Sequence, residues 1–162
     1  MSTPAARATP ARGPATHTAP VIAVIGNPNT GKSTLFNALT GLRQKTANYP
    51  GVTVERHTGS IELGGREVSL VDLPGTYSLA AQSPDEMVAI DVLLGHVEDL
   101  APPRAILVVV DATNLRRNLR LVLAVQRLGL PCIVALNMVD LARSRGLTID
   151  ADALSRELGV PV

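Results

Sequence analysis

Gly26-Asn27-Pro28-Asn29-Thr30-Gly31-Lys32-Ser33 spells G-x-x-x-x-G-K-S, set between the apolar run Val21–Ile25 and a stretch, Lys32–Thr40, patterned as a helix stopped by Gly41. This is the phosphate-cradling loop of a nucleoside-triphosphate binder, and each residue type follows from that task. Glycines at both ends let the backbone curl so that successive N–H groups aim at a β-phosphate, and Gly31 keeps a Cβ away from the nucleotide. Asn27, Pro28, Asn29 and Thr30 form the cradle between them. Lys32 is placed to reach the β- and γ-phosphates. The Ser33 hydroxyl is placed to ligate Mg²⁺ at the positive end of the following helix, with Thr34 beside it. The chain holds thirteen arginines and two lysines, and one of those lysines stands here. A compact ammonium fits between phosphates where a planar guanidinium is too wide.

Outward from this loop, Lys45–Val54 contains Asn48-Tyr49-Pro50-Gly51 and reads as a loop. Two strand-like runs follow, His57–Leu63 and Arg66–Leu73, joined at Gly64-Gly65 in a tight hairpin. Ser83-Pro84-Asp85-Glu86 opens a helix with serine as N-cap, proline first and glutamate three residues after the cap, so these carboxylates serve capping rather than catalysis. Ala105–Val110 is a buried strand, Leu115–Leu128 an amphipathic helix ended by Gly129, Cys132–Asn137 another buried strand and Asp150–Leu158 a further helix. Such alternation predicts an α/β fold with a mostly parallel sheet flanked by helices. Gly159-Val-Pro-Val162 begins what should be the next strand, so residues 21–162 are expected to be incomplete at the C-terminus, short of the last strand and helix. The edge of Cys132–Asn137 is then expected to lie open, with self-association as the consequence.

Composition bounds the rest. With 162 residues, 46% of them hydrophobic, one domain with a sizeable core is expected. The formal net charge of +1 argues against a dedicated nucleic-acid surface. Cys132 is the single cysteine, in an apolar run, and reads as a buried core residue in a reduced compartment. Residues 1–20 are rich in proline, alanine, threonine and arginine without an acid or an apolar core, which reads as a disordered arm and not a secretory signal. No apolar run is long enough to span a bilayer.

Two further motifs turn a phosphate binder into a guanine binder. Asp72-Leu73-Pro74-Gly75 ends a strand at the carboxyl edge of the sheet, where ligands of open α/β folds bind. Asp72 there holds a metal-bound water, and the unhindered Gly75 N–H senses a γ-phosphate. Asn137-Met138-Val139-Asp140 follows the Cys132 strand as N-x-x-D. The Asp140 carboxylate accepts from the guanine N1–H and exocyclic amine but would face adenine's N1 acceptor unpaired. Asn137 braces the loop and the base edge, and the apolar stem of Met138 covers the base. In the candidate switch Pro50-Gly51-Val52-Thr53-Val54, Thr53 is the hydroxyl best placed for Mg²⁺ and γ-phosphate, with Thr58 and Thr46 as fallbacks. Lys32, Thr53 and Gly75 are thus the candidate catalytic groups.

GNPNTGKSTLFNALTG, NYPGVTVE, DLPGTYSL followed by SPDE, VVVDATNLRRNL and NMVD, in this order, resemble the N-terminal G domain of the ferrous-iron transport protein B family. The match runs from about Val21 to Val162; NYPGVTVE and DLPGTYSL are its specific part. The resemblance implies a GTP/GDP-binding P-loop G domain on the cytoplasmic side of a bacterial inner membrane, joined to downstream helical and transmembrane iron-transport regions. It also implies that Asn29 holds K⁺ beside the phosphates, offsetting developing charge without an arginine finger. Thr76 stands where Ras-like enzymes carry a water-orienting glutamine and is too short for that work, so intrinsic hydrolysis is expected to be slow. His57 and His96 have no partners at ligand spacing, so no iron site is expected. Two other readings stay open, a nucleotide-dependent switch protein without transport and an RNA- or ribosome-associated GTPase. The second would want D-T-P-G and a basic module, and the sequence has neither.

Overall fold

The computed structural model of the chain describes residues 19–162. The first strand, β1 (Val21–Gly26), runs through the phosphate loop into α1 (Lys32–Thr40). An antiparallel unit follows, made of β2 (Gln44–Asn48), β3 (Glu55–Leu63) and β4 (Arg66–Asp72). Then come α2 (Pro84–Leu94), β5 (Pro103–Asp111), a 3-10 turn at Ala112–Asn114, α3 (Leu115–Gln126), β6 (Cys132–Asn137), α4 (Val139–Ser144) and α5 (Ala151–Leu158). The six strands form one sheet in the order β2-β3-β4-β1-β5-β6, in which β4, β1, β5 and β6 are mutually parallel.

Strand alternation divides the core between the two faces of the sheet. Val21, Ala23 and Ile25 of β1, with Ile106, Val108 and Val110 of β5, pack against Val88 and Val92 of α2 and Leu121, Val122 and Val125 of α3. The intervening Val24 and Val109 face the other way, onto Phe36 of α1. Cys132 is buried as expected, and burial pushes its thiol above its ordinary value. Gly64 and Gly65 both have positive φ, 57° and 75°, as a two-residue hairpin turn requires. Glycine is needed at Gly59 for another reason: a Cβ there would lie 2.3 Å from the Thr40 methyl at the end of α1. Gln44 also donates to the Thr40 hydroxyl at 2.8 Å, so α1, β2 and β3 meet at one point.

Two expectations need correction. Lys45–Val54 is not wholly loop, because Gln44–Asn48 is an edge strand paired with β3 from Gln44↔Gly59 to Asn48↔Glu55. Its exposed, polar side chains carry no hydrophobic alternation from which a strand is read. The outer edge of β6 is not wholly open either, since the Val134 N–H donates to the Pro161 carbonyl at 2.9 Å. The arm read over residues 1–20 lies outside the described residues except for Ala19 and Pro20. Pro20 belongs to the sheet's margin, accepting from the Ser69 N–H at 2.9 Å. The turn at Ala112–Asn114 and helix α4 are too short to have registered as periodic patterns.

Candidate functional site: a phosphate loop with two docked motifs

Each part of the site is carried to the carboxyl ends of parallel strands. β1 delivers Gly26, which is buried so closely against β5 that a Cβ would stand 2.8 Å from the Val109 carbonyl. The loop then braces itself: the Thr30 hydroxyl donates to the Asn27 carbonyl at 2.9 Å, and Leu35 N–H to the Gly31 carbonyl at 2.9 Å. Gly31 has φ 79°, which no residue with a Cβ adopts readily. A Cβ there would also collide with the Asn137 amide, 2.3 Å away. Asn29 is exposed with φ 64°, a conformation asparagine tolerates better than most residues. Asn27, Pro28, Asn29, Gly31, Lys32, Ser33, Thr34 and Gly75 line a cavity of about 430 Å³.

The other motifs dock on this loop. Leu73 N–H donates to the Val24 carbonyl at 2.9 Å and Thr76 N–H to the Gly26 carbonyl at 3.1 Å, so Asp72-Leu73-Pro74-Gly75 runs beside it. Gly75 lies close enough to Pro28 that a Cβ would stand 3.3 Å from its Cα. Lys32 and Asp72, both buried, form a hydrogen-bonded ion pair. Pairing is what makes two charges at such a site tolerable. From β6, the Asn137 amide donates to the Thr30 carbonyl at 2.9 Å. Met138, with φ 59°, precedes α4 near Gly31, and Asp140 is exposed in the first turn of that helix.

The candidate switch is elsewhere. Gly51, Val52 and Thr53 are exposed in the loop Tyr49–Val54, which is closed by Tyr49 N–H to Val54 carbonyl (3.0 Å) and Val52 N–H to Tyr49 carbonyl (3.3 Å). Thr53 is not among the residues lining the phosphate cavity. Of the fallbacks, Thr46 is engaged with His57 across the β2–β3 hairpin at 3.2 Å, and Thr58 is paired with Lys45 in the same hairpin.

Sequence reasoning missed how these segments are fastened. Tyr49 is buried in the core, its hydroxyl has no partner among the described residues, and burial raises that phenol above its ordinary value. The Arg56 guanidinium lies 5.7 Å from the Tyr49 ring centroid. Arg56 also makes a bidentate pair with Asp99, both bonds 2.7 Å, which raises the guanidinium and lowers the carboxyl. An aromatic inside a Pro-Gly loop was the available signal for Tyr49; nothing local pairs Arg56 with a residue 43 positions away. Glu86 does more than sit in a cap. Besides the Ser83 cap bond (3.2 Å), its carboxylate accepts from the Gln82 N–H and the Ser78 hydroxyl, both at 2.9 Å, tying the segment after Gly75 to α2. Those bonds, the Gln82 N–H first, hold the Glu86 carboxyl below the usual range. Thr76 is buried, with its hydroxyl donating to the Ser78 carbonyl at 2.7 Å.

The family described as ferrous iron transport protein B matches residues 20–162, nearly the whole described chain. The chain belongs to that family. The Fe(2+) transporter FeoB of Salmonella typhimurium is 52% identical over 145 residues, 87% of this chain and 18% of the transporter. The FeoB of Escherichia coli strain K12 is likewise 52% identical over 145 residues. The chain thus spans about 18% of the length of the curated FeoB relatives it matches. Among solved structures, the S. thermophilus NFeoB E67A mutant bound to GDP aligns with TM-score 0.80 and 47% identity over 88% of this chain and 54% of that one. The G domain of the T. maritima FeoB iron transporter aligns with TM-score 0.79 and 40% identity over 90% of this chain and 86% of that one. The sheet and its flanking helices are therefore those of a FeoB G domain, a P-loop fold. Among the described residues no helix is long and apolar enough to cross a membrane, and no group of three or more His, Cys, Asp or Glu side chains is arranged to hold a metal ion.

Proposed function

We propose that this chain is a guanine-nucleotide-binding, slowly GTP-hydrolysing domain of a ferrous-iron transporter. The observation that carries the reading is the Asn137–Thr30 bond, which fastens the base-reading motif to the phosphate-reading loop. Asp140 then reads guanine while Lys32 exchanges its bond to Asp72 for bonds to the β- and γ-phosphates. The side chains of Ser33, Thr53 and Asp72 are hard oxygen donors of the kind Mg²⁺ takes. The ion, when bound, supplies neutralisation of phosphate charge. Thr53 acts only after the loop Tyr49–Val54 leaves its present position. Gly75 offers a backbone N–H to the γ-phosphate. The Thr76 hydroxyl is already committed to Ser78, which supports a slow intrinsic rate.

GDP-bound relatives support nucleotide binding by this chain, and their membership of a transporter supports downstream helical and transmembrane partners with ferrous iron as cargo. Such a chain would work on the cytoplasmic face of the membrane. No contact with nucleic acid is required. Asn29 supplies a neutral oxygen that fits K⁺, although its φ of 64° also gives the loop a conformational reason for asparagine. Asn29→Gly keeps that backbone accessible while removing the oxygen.

Calorimetry tests the base reading: GTP should bind far more tightly than ATP, and Asp140→Asn should transfer preference to xanthine nucleotides. Equal affinity for GTP and ATP would sink it. Single-turnover hydrolysis at constant ionic strength tests the ion. K⁺ should accelerate the reaction over Na⁺ by on the order of a hundredfold, equivalent to ~3 kcal/mol, and Asn29→Gly should remove the acceleration while leaving GDP affinity intact.

A further inference from the structure

Three surface hollows follow one another around the end of α2. The first, of about 590 Å³, is lined by Ala19, Pro20 and Val21 together with residues 101–104. The second, also about 590 Å³, is lined by residues 95–102 and so shares Ala101 and Pro102 with the first. The third, about 270 Å³, shares His96, Val97 and Glu98 with the second and is lined as well by Tyr49, Pro50 and Val52 of the candidate switch loop. Through these shared walls a trough leads from Ala19, the residue to which residues 1–18 are joined, to the anchor of the switch loop.

The charge of the trough changes along its length. Arg104, in the first hollow, is the single arginine or lysine lining any of the three. Beyond it come Asp91, Glu98 and Asp99, all exposed. Asp99 is taken by Arg56. Among the described residues Glu98 has no cation within ion-pair distance, and Asp91 faces only His96, at 3.8 Å. The C-terminal end of α2, at Leu94, adds the negative end of a helix dipole.

Residues 1–18 have the complementary make-up: they contain Arg7, Arg12 and His17, no acid, and Pro4, Pro10 and Pro14. Fully extended, Arg12 reaches about 24 Å from Ala19 and Arg7 about 40 Å. A domain of this size has a radius of gyration of about 15 Å, so both reach the acidic part of the trough. Prolines lessen the conformational entropy that docking removes. Covalent attachment sets the effective concentration in the mM range, so a contact too weak to hold a separate peptide is populated here.

We propose that residues 1–18 of this chain dock in the trough as an intramolecular strap, with Arg7 and Arg12 meeting Asp91 and Glu98. The strap lies against Pro50 and Val52 and holds the loop Tyr49–Val54 where it now stands, with Thr53 away from the phosphate cavity. Release of the strap then frees Thr53; that consequence rests on the guanine-nucleotide reading, whereas the docking does not.

Hydrogen exchange of the full chain, without nucleotide and in low salt, tests it. The amides to follow are those of Tyr49, Val52, His96 and Leu100, each hydrogen-bonded in the loops that border the trough. Arg7→Glu with Arg12→Glu should speed their exchange by at least about fivefold, the effect of losing two exposed ion pairs. Asp91→Arg with Glu98→Arg should do the same, and all four substitutions together should restore wild-type protection. Restoration also shows that the reversed trough still folds. Unchanged exchange in either double variant, or no recovery with all four, would overturn the proposal. So would protection that grows with protein concentration, which would place the strap in the trough of a second copy. Loss of binding to phosphatidylserine vesicles in Arg7→Glu with Arg12→Glu, without any change in exchange, would overturn it too by assigning the arginines to an anionic membrane. The measurement uses no nucleotide, so its result and that of the calorimetry with GTP and ATP are independent.

Discussion

The phosphate loop and the candidate switch loop are both short, glycine-containing connections at the same edge of the sheet, yet they are held by opposite means. Residues 26–33 are fixed by their own backbone and by close approach. Thr30 closes back on Asn27, Gly31 leaves no room for a Cβ beside Asn137, and Gly26 leaves none beside Val109. Residues 49–54 have an exposed crest and are fixed by one buried ring, with Arg56 and Asp99 behind it. A rigid cradle suits a group that must be bound in one pose. A loop hung from a single anchor suits a segment that must occupy two positions.

The sharpest way to break the contrast is to put a methyl group on the cradle. Gly31→Ala meets both an unfavourable φ and a contact of 2.3 Å with the Asn137 amide. GDP affinity should fall by at least about a hundredfold, since relief requires undocking the base-reading motif from the phosphate loop. Calorimetry with GDP checks this, and affinity within about threefold of wild type would show that the cradle is less rigid than its packing implies. Glycine to alanine at Gly51, where a Cβ meets nothing within 4 Å, should leave GDP affinity unchanged despite a similar φ of 76°.

The anchor of the switch loop should respond in two directions. Tyr49→Ala removes a buried ring and should cost about 3 kcal/mol or more. Tyr49→Phe removes only a hydroxyl that is buried without a partner. It should therefore stabilise the chain by about 1 kcal/mol, raising Tm by about 2–4 °C for a domain of this size. Thermal melting distinguishes the outcomes, and a lower Tm for Tyr49→Phe would mean that the hydroxyl is satisfied after all.

The smallest effect concerns Glu86, which fastens the segment after Gly75. Its folded-state pKa is lowered, so its contribution is present above the unfolded value of roughly 4.3 and is lost as pH falls through the folded value. Wild type should thus lose stability with acidification in a window that begins near the unfolded value and extends below it, and Glu86→Gln should flatten the curve there. Urea midpoints measured across that window test the point; parallel curves for the two proteins would remove Glu86 from the account.

What could be read from sequence was what chemistry demands of neighbouring residues. The cradle, the N-x-x-D turn, the Gly64-Gly65 hairpin and the Ser83 cap all depend on residues a few positions apart, and all stand where their spacing puts them. Strand β2 was invisible because an edge strand with both faces wet needs no hydrophobic alternation. Arg56–Asp99 and Asn137–Thr30 were invisible as contacts because their partners are brought together only by the sheet. Thr53 was expected at the cavity as the hydroxyl best placed for Mg²⁺ and γ-phosphate, but it lies outside the cavity lining, because a sequence does not say which position a loop will take.

The close fit of Gly59 against Thr40 bears on how the switch can travel. The β2–β3 hairpin is clamped at its root, where Gly59, Gln44 and the end of α1 interlock, and again near its tip by Tyr49 and the Arg56–Asp99 pair. The root clamp is steric and inside the fold, so it does not let go without unfolding. The tip clamp is a ring, a guanidinium and a partly exposed carboxylate, and such contacts can part and re-form. The hairpin therefore behaves as a cantilever whose fixed end is the helix that begins at Lys32. A load applied at Thr53 is delivered along about 13 Å of strand to the far end of the same helix whose near end carries the Gly26–Ser33 loop.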